Sequence, residues 1–142
     1  MEEIPKQLSQ GIDQFNRGEY YACHDTLEDI WMEAIEPDRS FLQGILQVAV
    51  GLYHLTNHNW QGAVTLLGNG IRRLHPYAPS YGGVDVEHLL EWSTELLQSL
   101  QLSGPEAVQK VAQRLPKADL RQSMPEKGAS ERMAYTIYAT AH

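Results

Sequence analysis

The sequence predicts an all-α protein, a compact bundle of five to six helices built from antiparallel helical hairpins with tetratricopeptide-like pairing, followed by an irregular C-terminal tail. Three observations predict it. Apolar residues recur three and four positions apart along most of the chain, which is the period of one helix face. From Ser40 to Ile71 no Asp, Glu, Lys or Arg occurs, so the helix there is apolar nearly all round and belongs at the centre of a bundle. Gly18-Glu19-Tyr20-Tyr21-Ala22-Cys23 is echoed about 40 residues later by His58-Asn59-Trp60-Gln61-Gly62-Ala63: a turn, an aromatic and a small residue in the same order. Leu102-Ser103-Gly104-Pro105-Glu106-Ala107 is a fainter third copy without the aromatic.

A first helix is expected from about Pro5, a residue tolerated in a first turn, to Asn16, with Leu8, Ile12 and Phe15 on one face. Gly18 ends it. The second, from about Glu19 to Ala34, turns Tyr20, Cys23, Leu27, Ile30, Trp31 and Ala34 inward and breaks at Glu36-Pro37-Asp38. Asp38 is expected to cap the third, which reaches about Asn57. Asn59 is suited to cap a fourth, whose Trp60, Ala63, Val64, Leu67, Ile71 and Leu74 keep to one face. Pro76 to Gly83 reads as a loop. Asp85 then caps a fifth helix with Val86, Leu89, Leu90, Ser93, Leu96, Leu97 and Leu100 inside, and Ser103-Gly104-Pro105-Glu106 opens a short sixth ending near Leu115-Pro116. The domain is thus expected over residues 1–116. Residues 117–142 form a polar tail, and Met133, Tyr135, Ile137 and Tyr138 are expected to pack it on the domain or on a neighbouring subunit.

At 142 residues, with 42% hydrophobic and 20% charged residues, the chain can bury one core without disulfides and is too apolar to be wholly disordered. A formal charge of −7 argues against a broad phosphate-binding surface, so no nucleic-acid partner is expected. Arg72-Arg73 with His75 is the one basic spot of note, read as cations near a helix end. The single Cys23 forms no internal disulfide and fits a reducing compartment. The acidic start has no apolar stretch after it, and Gln, Asn, His and Gly interrupt the uncharged run, so we expect a cytoplasmic protein without a membrane span. Trp60, Trp92 and the tail tyrosines exceed what one small core needs, which points to a homodimer.

The candidate site lies on the second and third helices. His24, Glu28 and Trp31 fall at i, i+4 and i+7 and share a face with Tyr20 and Leu27. On the next helix Arg39, Gln43, Gln47 and His54 fall within roughly 80° of one another at about 100° per residue. If the two faces meet, Glu28 stands opposite one cation, two amides and two imidazoles, the company a buried carboxylate requires. Three readings compete. The cluster is a core network that fixes helix register. It is a pocket for a small polar ligand or a peptide end with Arg39 as anion partner. Or His24, Glu28 and His54 hold a divalent metal with an open position for hydrolysis. No His-Glu-x-x-His or repeated Glu-x-x-His pattern is present, so no metal or other cofactor is expected, and His58, four residues after His54, is read as a helix-end residue.

The stretch from Phe15 to Tyr21, then His24-Asp25, Leu27-Glu28, Trp31, Arg39, Phe41 to Gly44, Gln47, Ala49-Val50, His54 and Gly62-Ala63, resembles domain-of-unknown-function family 309. The similarity spans about Leu8 to Leu74. It implies a helical bundle whose characteristic polar positions match His24, Glu28, Arg39, Gln43, Gln47 and His54, and it implies no activity. The chain departs from the family at Ala22-Cys23, at Asp25 where Glu is frequent, and at His58 where Gly tends to precede the turn Asn. Together these readings give a binding or interaction module, for an unknown protein or a small polar ligand, with a buried polar cluster centred on Glu28. The alternative is a metal-dependent hydrolase using His24, Glu28 and His54.

Overall fold

A computed structural model describes residues 6–115 and 135–140. Among these the chain forms six α-helices: α1 (Lys6–Asn16), α2 (Tyr20–Glu33), α3 (Asp38–Thr56), α4 (Trp60–Leu74), α5 (Val86–Ser103) and α6 (Val108–Ala112). The all-α bundle is the architecture the periodicity requires. Successive helices run antiparallel, as their contacts require. Gly11 of α1 meets Leu27 of α2, Tyr21 of α2 meets Tyr53 of α3, and Gly44 and Gly51 of α3 meet Leu74 and Leu67 of α4. Trp60 at the start of α4 donates its indole N–H to the Leu100 carbonyl of α5 at 2.8 Å.

The charge-free α3 is the central element. Phe41, Leu42, Ile45, Val48, Ala49, Leu52 and Leu55 are fully buried, while Asp38, Arg39, Ser40, Gln43, Gln47, Val50, Tyr53 and His54 on its rim are half-buried and Thr56 at its end is exposed. Fully burying side chains of this kind stabilises by roughly 1.5–3 kcal/mol each, so α3 dominates the core. Small residues let α4 approach closely, Gly70 resting on the backbone of Gly44 and Val48. No described helix is long and apolar enough to cross a membrane.

The sequence echo is one turn used twice. Gly18 and His58 both adopt the left-handed conformation, with φ of 83° and 58°. At each, two backbone bonds close the preceding helix: Gly18 N–H to Phe15 O and Glu19 N–H to Gln14 O, then His58 N–H to Leu55 O and Asn59 N–H to His54 O, all 2.9–3.0 Å. This is a Schellman cap. The next helix then starts on the aromatic, Tyr20 or Trp60, and buries the small residue three positions on, Cys23 or Ala63.

Asn59 and Asp85 cap as expected, accepting from Gly62 N–H and His88 N–H at 3.0 Å. Asp38 does not cap α3. It is the first helical residue, and Glu36 takes the Ser40 N–H and hydroxyl at 2.9 and 2.8 Å. Pro76 to Gly83 is more ordered than a loop. A 3₁₀ turn (His75–Tyr77) precedes a two-residue hairpin of β1 (Ser80–Tyr81) and β2 (Val84–Asp85), turning at Gly82-Gly83 with positive φ. The sixth helix is shorter than expected because Pro105–Ala107 forms a 3₁₀ turn before it.

Residues 135–140 return to the bundle. Val84 bridges Ala139, and Asp85 N–H and Thr140 N–H donate to Tyr138 O and Gly83 O at 2.8 Å. Asn16 grips Ile137 from both sides, donating to its carbonyl at 3.0 Å and accepting its N–H at 2.8 Å. The Trp92 indole donates to Thr136 O, while Tyr135 packs edge-on against the Trp92 ring. Trp60, Trp92, Tyr135 and Tyr138, the aromatics that pointed to a second copy, therefore all have contacts within the chain. Met133 and the segment around it lie outside the described residues.

Candidate functional site

The predicted polar residues lie along the α2–α3 surface and not inside the core. Helix α2 packs inward through Tyr20, Cys23 and Leu27, and His24, Glu28 and Trp31 form the neighbouring stripe, one position round the helix. That stripe sits at the edge of the helix contact. His24 and Trp31 are half-buried, and Glu28 is exposed, so the expectation of a buried Glu28 at the centre of a network is corrected. Arg39 does not pair with it. Its guanidinium lies over the Trp31 ring, 3.9 Å from the centroid, and Nη1 donates to Ala34 O at 3.4 Å.

His54 is committed to the turn after α3. Its Nδ1 accepts from the Asn59 amide Nδ2 at 3.3 Å, since Asn59 Oδ1 is already taken by Gly62 N–H. The ring lies so close to Gly62 that a Cβ there would fall 2.7 Å from His54 Cγ. With Nδ1 accepting, the imidazole proton sits on Nε2. Ligating a metal through Nε2 would move that proton to Nδ1, against the amide N–H. Between His54 and His24 stand two tyrosine rings, Tyr53 and Tyr21, in a continuous aromatic row with centroid spacings of 6.3, 5.3 and 6.2 Å.

Among the described residues, the potential ligands that do come together are His24, Asp25 and Glu28, with one ligand atom from each within 4.8 Å of the others. The grouping differs from the expected set by Asp25, which replaces His54. His24 Nδ1 lies 3.4 Å from Asp25 Oδ1. All three come from one turn of α2, and both carboxylates are exposed, so an ion held there would keep a large part of its water shell.

The start of α3, which aims Arg39, is pinned from the hairpin side. Tyr77 donates its hydroxyl to Pro37 O at 2.7 Å and Tyr81 donates to the Asp38 carboxylate. That bond holds the Asp38 carboxyl below the usual carboxylate range and pushes the Tyr81 hydroxyl up to about 12. The two Ser40 bonds likewise hold Glu36 low, with smaller help from Arg39 and Arg73. Phe41, Tyr77 and Tyr81 stack around this junction at 4.8–5.4 Å. Further along α3, Gln47 Oε1 accepts from Arg73 Nε of α4 at 3.3 Å.

Among the described residues, clefts lie on both flanks of α3. One, about 620 Å³, is walled by Tyr20, Tyr21, Tyr53, His58, Gln109 and Leu115 among others, between the start of α2, the end of α3 and α6. The other, about 390 Å³, is lined by Gln47, Asn69, Arg72 and Arg73. Sequence reasoning missed Asp25, Tyr21, Tyr53 and Asn69. The first was next to a candidate, and exposed Tyr21 and half-buried Tyr53 carry a polar hydroxyl at the edge of the apolar stripe. Asn69 stands one turn before Arg72 on the same helix, so its i, i+3 spacing was the signal that could have found it.

Residues 8–66 match the model of a family described as Domain of unknown function (DUF309), so the resemblance read from the motif positions holds over that span. The chain is also 31% identical over 86 residues to "Uncharacterized protein YpuF" of Bacillus subtilis (strain 168), covering 58% of this chain and 49% of that protein. It thus spans about half the length of that relative. No activity comes with either match. The matched span takes in α2 and α3 whole, and therefore every residue of the candidate set from His24 to His54.

Proposed function

We propose that the chain is a helical-hairpin binding module that takes a partner on the α2–α3 surface. The observation that carries this reading is the Arg39 guanidinium stacked on a half-buried Trp31, beside half-buried Gln43 and exposed Glu28. A polar set consumed in a core network would offer nothing outward. Here a planar aromatic, a cation and an amide stay reachable, and Trp and Arg are the residues that most often dominate binding energy at protein surfaces. The pair is held ready by the Tyr77 bond to Pro37, just before α3, and the Tyr81 bond to Asp38, its first residue, which lowers the ordering cost of binding.

The test is site-specific photo-crosslinking in cells of the source organism, with the crosslinker at Gln43 and, as control, at exposed Gln61 of α4. The reading expects a discrete adduct from position 43, lost when Trp31→Ala is added and absent from position 61. The same adducts from both positions, or none from 43, would remove the reading.

A further inference from the structure

We propose that the cleft between α3 and α4, lined by Gln47, Asn69, Arg72 and Arg73, is a binding site for a small oxyanion, the carboxylate or phosphate end of a small molecule. This does not rest on the reading above, which concerns the other flank of α3. Cations in the last turn of a helix ordinarily serve the exposed carbonyls at its end. Arg72 and Arg73 do something else: their hydrogen bonds go to side-chain amide oxygens, Arg72 Nη2 to Asn69 Oδ1 one turn back and Arg73 Nε to Gln47 Oε1 across the helix interface.

These bonds have a chemical consequence. Each guanidinium has five N–H donors and spends one, and each carboxamide, with its oxygen turned to an arginine, is left presenting its NH₂. The four side chains that line the cleft are thus oriented as donors, and none of the lining residues is acidic. Glu36 acts on Arg73 through its charge, but its carboxylate is occupied by the Ser40 N–H and hydroxyl. A donor-rich recess with two guanidiniums held by their own partners is complementary to an oxyanion, which accepts only. In a chain of formal charge −7, concentrating two arginines here attracts a compact anion without favouring a polyanion. About 390 Å³ accommodates such a head group, with the remainder of the ligand directed to solvent.

The test is a titration of the full-length protein followed by ¹H–¹⁵N spectra of the arginine Nε–H and carboxamide NH₂ groups, with inorganic phosphate in one arm and succinate in the other. Ionic strength is held near 150 mM, where unspecific attraction beyond roughly 8 Å is screened. The proposal expects saturating shifts of Arg72, Arg73, Gln47 and Asn69, with a dissociation constant weakened about tenfold by Arg73→Gln, the loss of one charge-assisted pair. Saturation by phosphate alone assigns a phosphate-bearing ligand, by succinate alone a carboxylate, and by both an oxyanion site of either kind. Shifts that stay linear in both arms, or that are unchanged in the Arg72→Gln/Arg73→Gln variant with an intact melting transition, overturn it.

Discussion

Substituting Gly70 by Ala tests the central packing of the bundle. In a helix interior Gly→Ala ordinarily gains about 1 kcal/mol, because glycine gives up more backbone freedom on folding. At Gly70 the added Cβ would stand 2.7 Å from Val48 Cγ2, 3.0 Å from Gly44 O and 3.1 Å from Val48 N. Two of these three are backbone atoms of α3, so relief requires moving a helix and not a side chain. Overpacking of that kind costs about 3 kcal/mol, and the balance is a net loss of about 2 kcal/mol. Gly68, two residues away on the same helix, is the control. Its Cβ would meet only Arg72 Nη1 at 3.6 Å and Leu97 Cδ2 at 4.0 Å, ordinary contacts, so Gly68→Ala should gain about 1 kcal/mol. In urea, with a slope of about 1.5 kcal/mol per molar, the midpoint should fall by about 1.3 M for Gly70→Ala and rise by about 0.7 M for Gly68→Ala. Equal gains from both substitutions would mean that α3 and α4 do not touch through Gly70, and the close approach would be refuted.

Two further outcomes follow from the same reasoning. His58 holds a left-handed backbone that costs a side-chain-bearing residue about 1 kcal/mol, so His58→Gly should raise the urea midpoint, and no change would deny the Schellman turn there. Burial pushes the Cys23 thiol up to about 12 from an ordinary value near 9, and it raises the Tyr20 hydroxyl as well. Both groups keep their protons in the folded state after the unfolded chain has begun to release them. Their contribution is therefore fully present below about pH 9 and is lost as pH rises from there toward 12, by up to about 1.4 kcal/mol per pH unit for each group. Cys23→Ala should flatten the fall between pH 9 and 10, and urea midpoints running parallel in the two proteins would show that the thiol is not buried.

The sequence by itself determined the helices and their order, because a period near 3.6 in apolar positions and a missing run of charges are properties of a chain, not of its neighbours. It also determined where two of the turns fall. Gly18 and His58 recur in the same setting because one Schellman geometry closes both α1 and α3, and the aromatic and small residues that follow seat the next helix. Helix periodicity placed His24, Glu28 and Trp31 on one stripe of α2, and Arg39, Gln43, Gln47 and His54 on one stripe of α3. It could not say on which side of the contact those stripes fall. A rotation of about 100°, one residue, separates Leu27 in the core from Glu28 in solvent, and that rotation is set by how α2 beds against α3. Tertiary structure alone therefore decided that Arg39 lies on Trp31 instead of meeting Glu28, that His54 serves the Asn59 turn, and that Arg73 reaches across to Gln47. Each of these is a contact between groups on different turns or helices, and its geometry exists only once the side chains between them have packed.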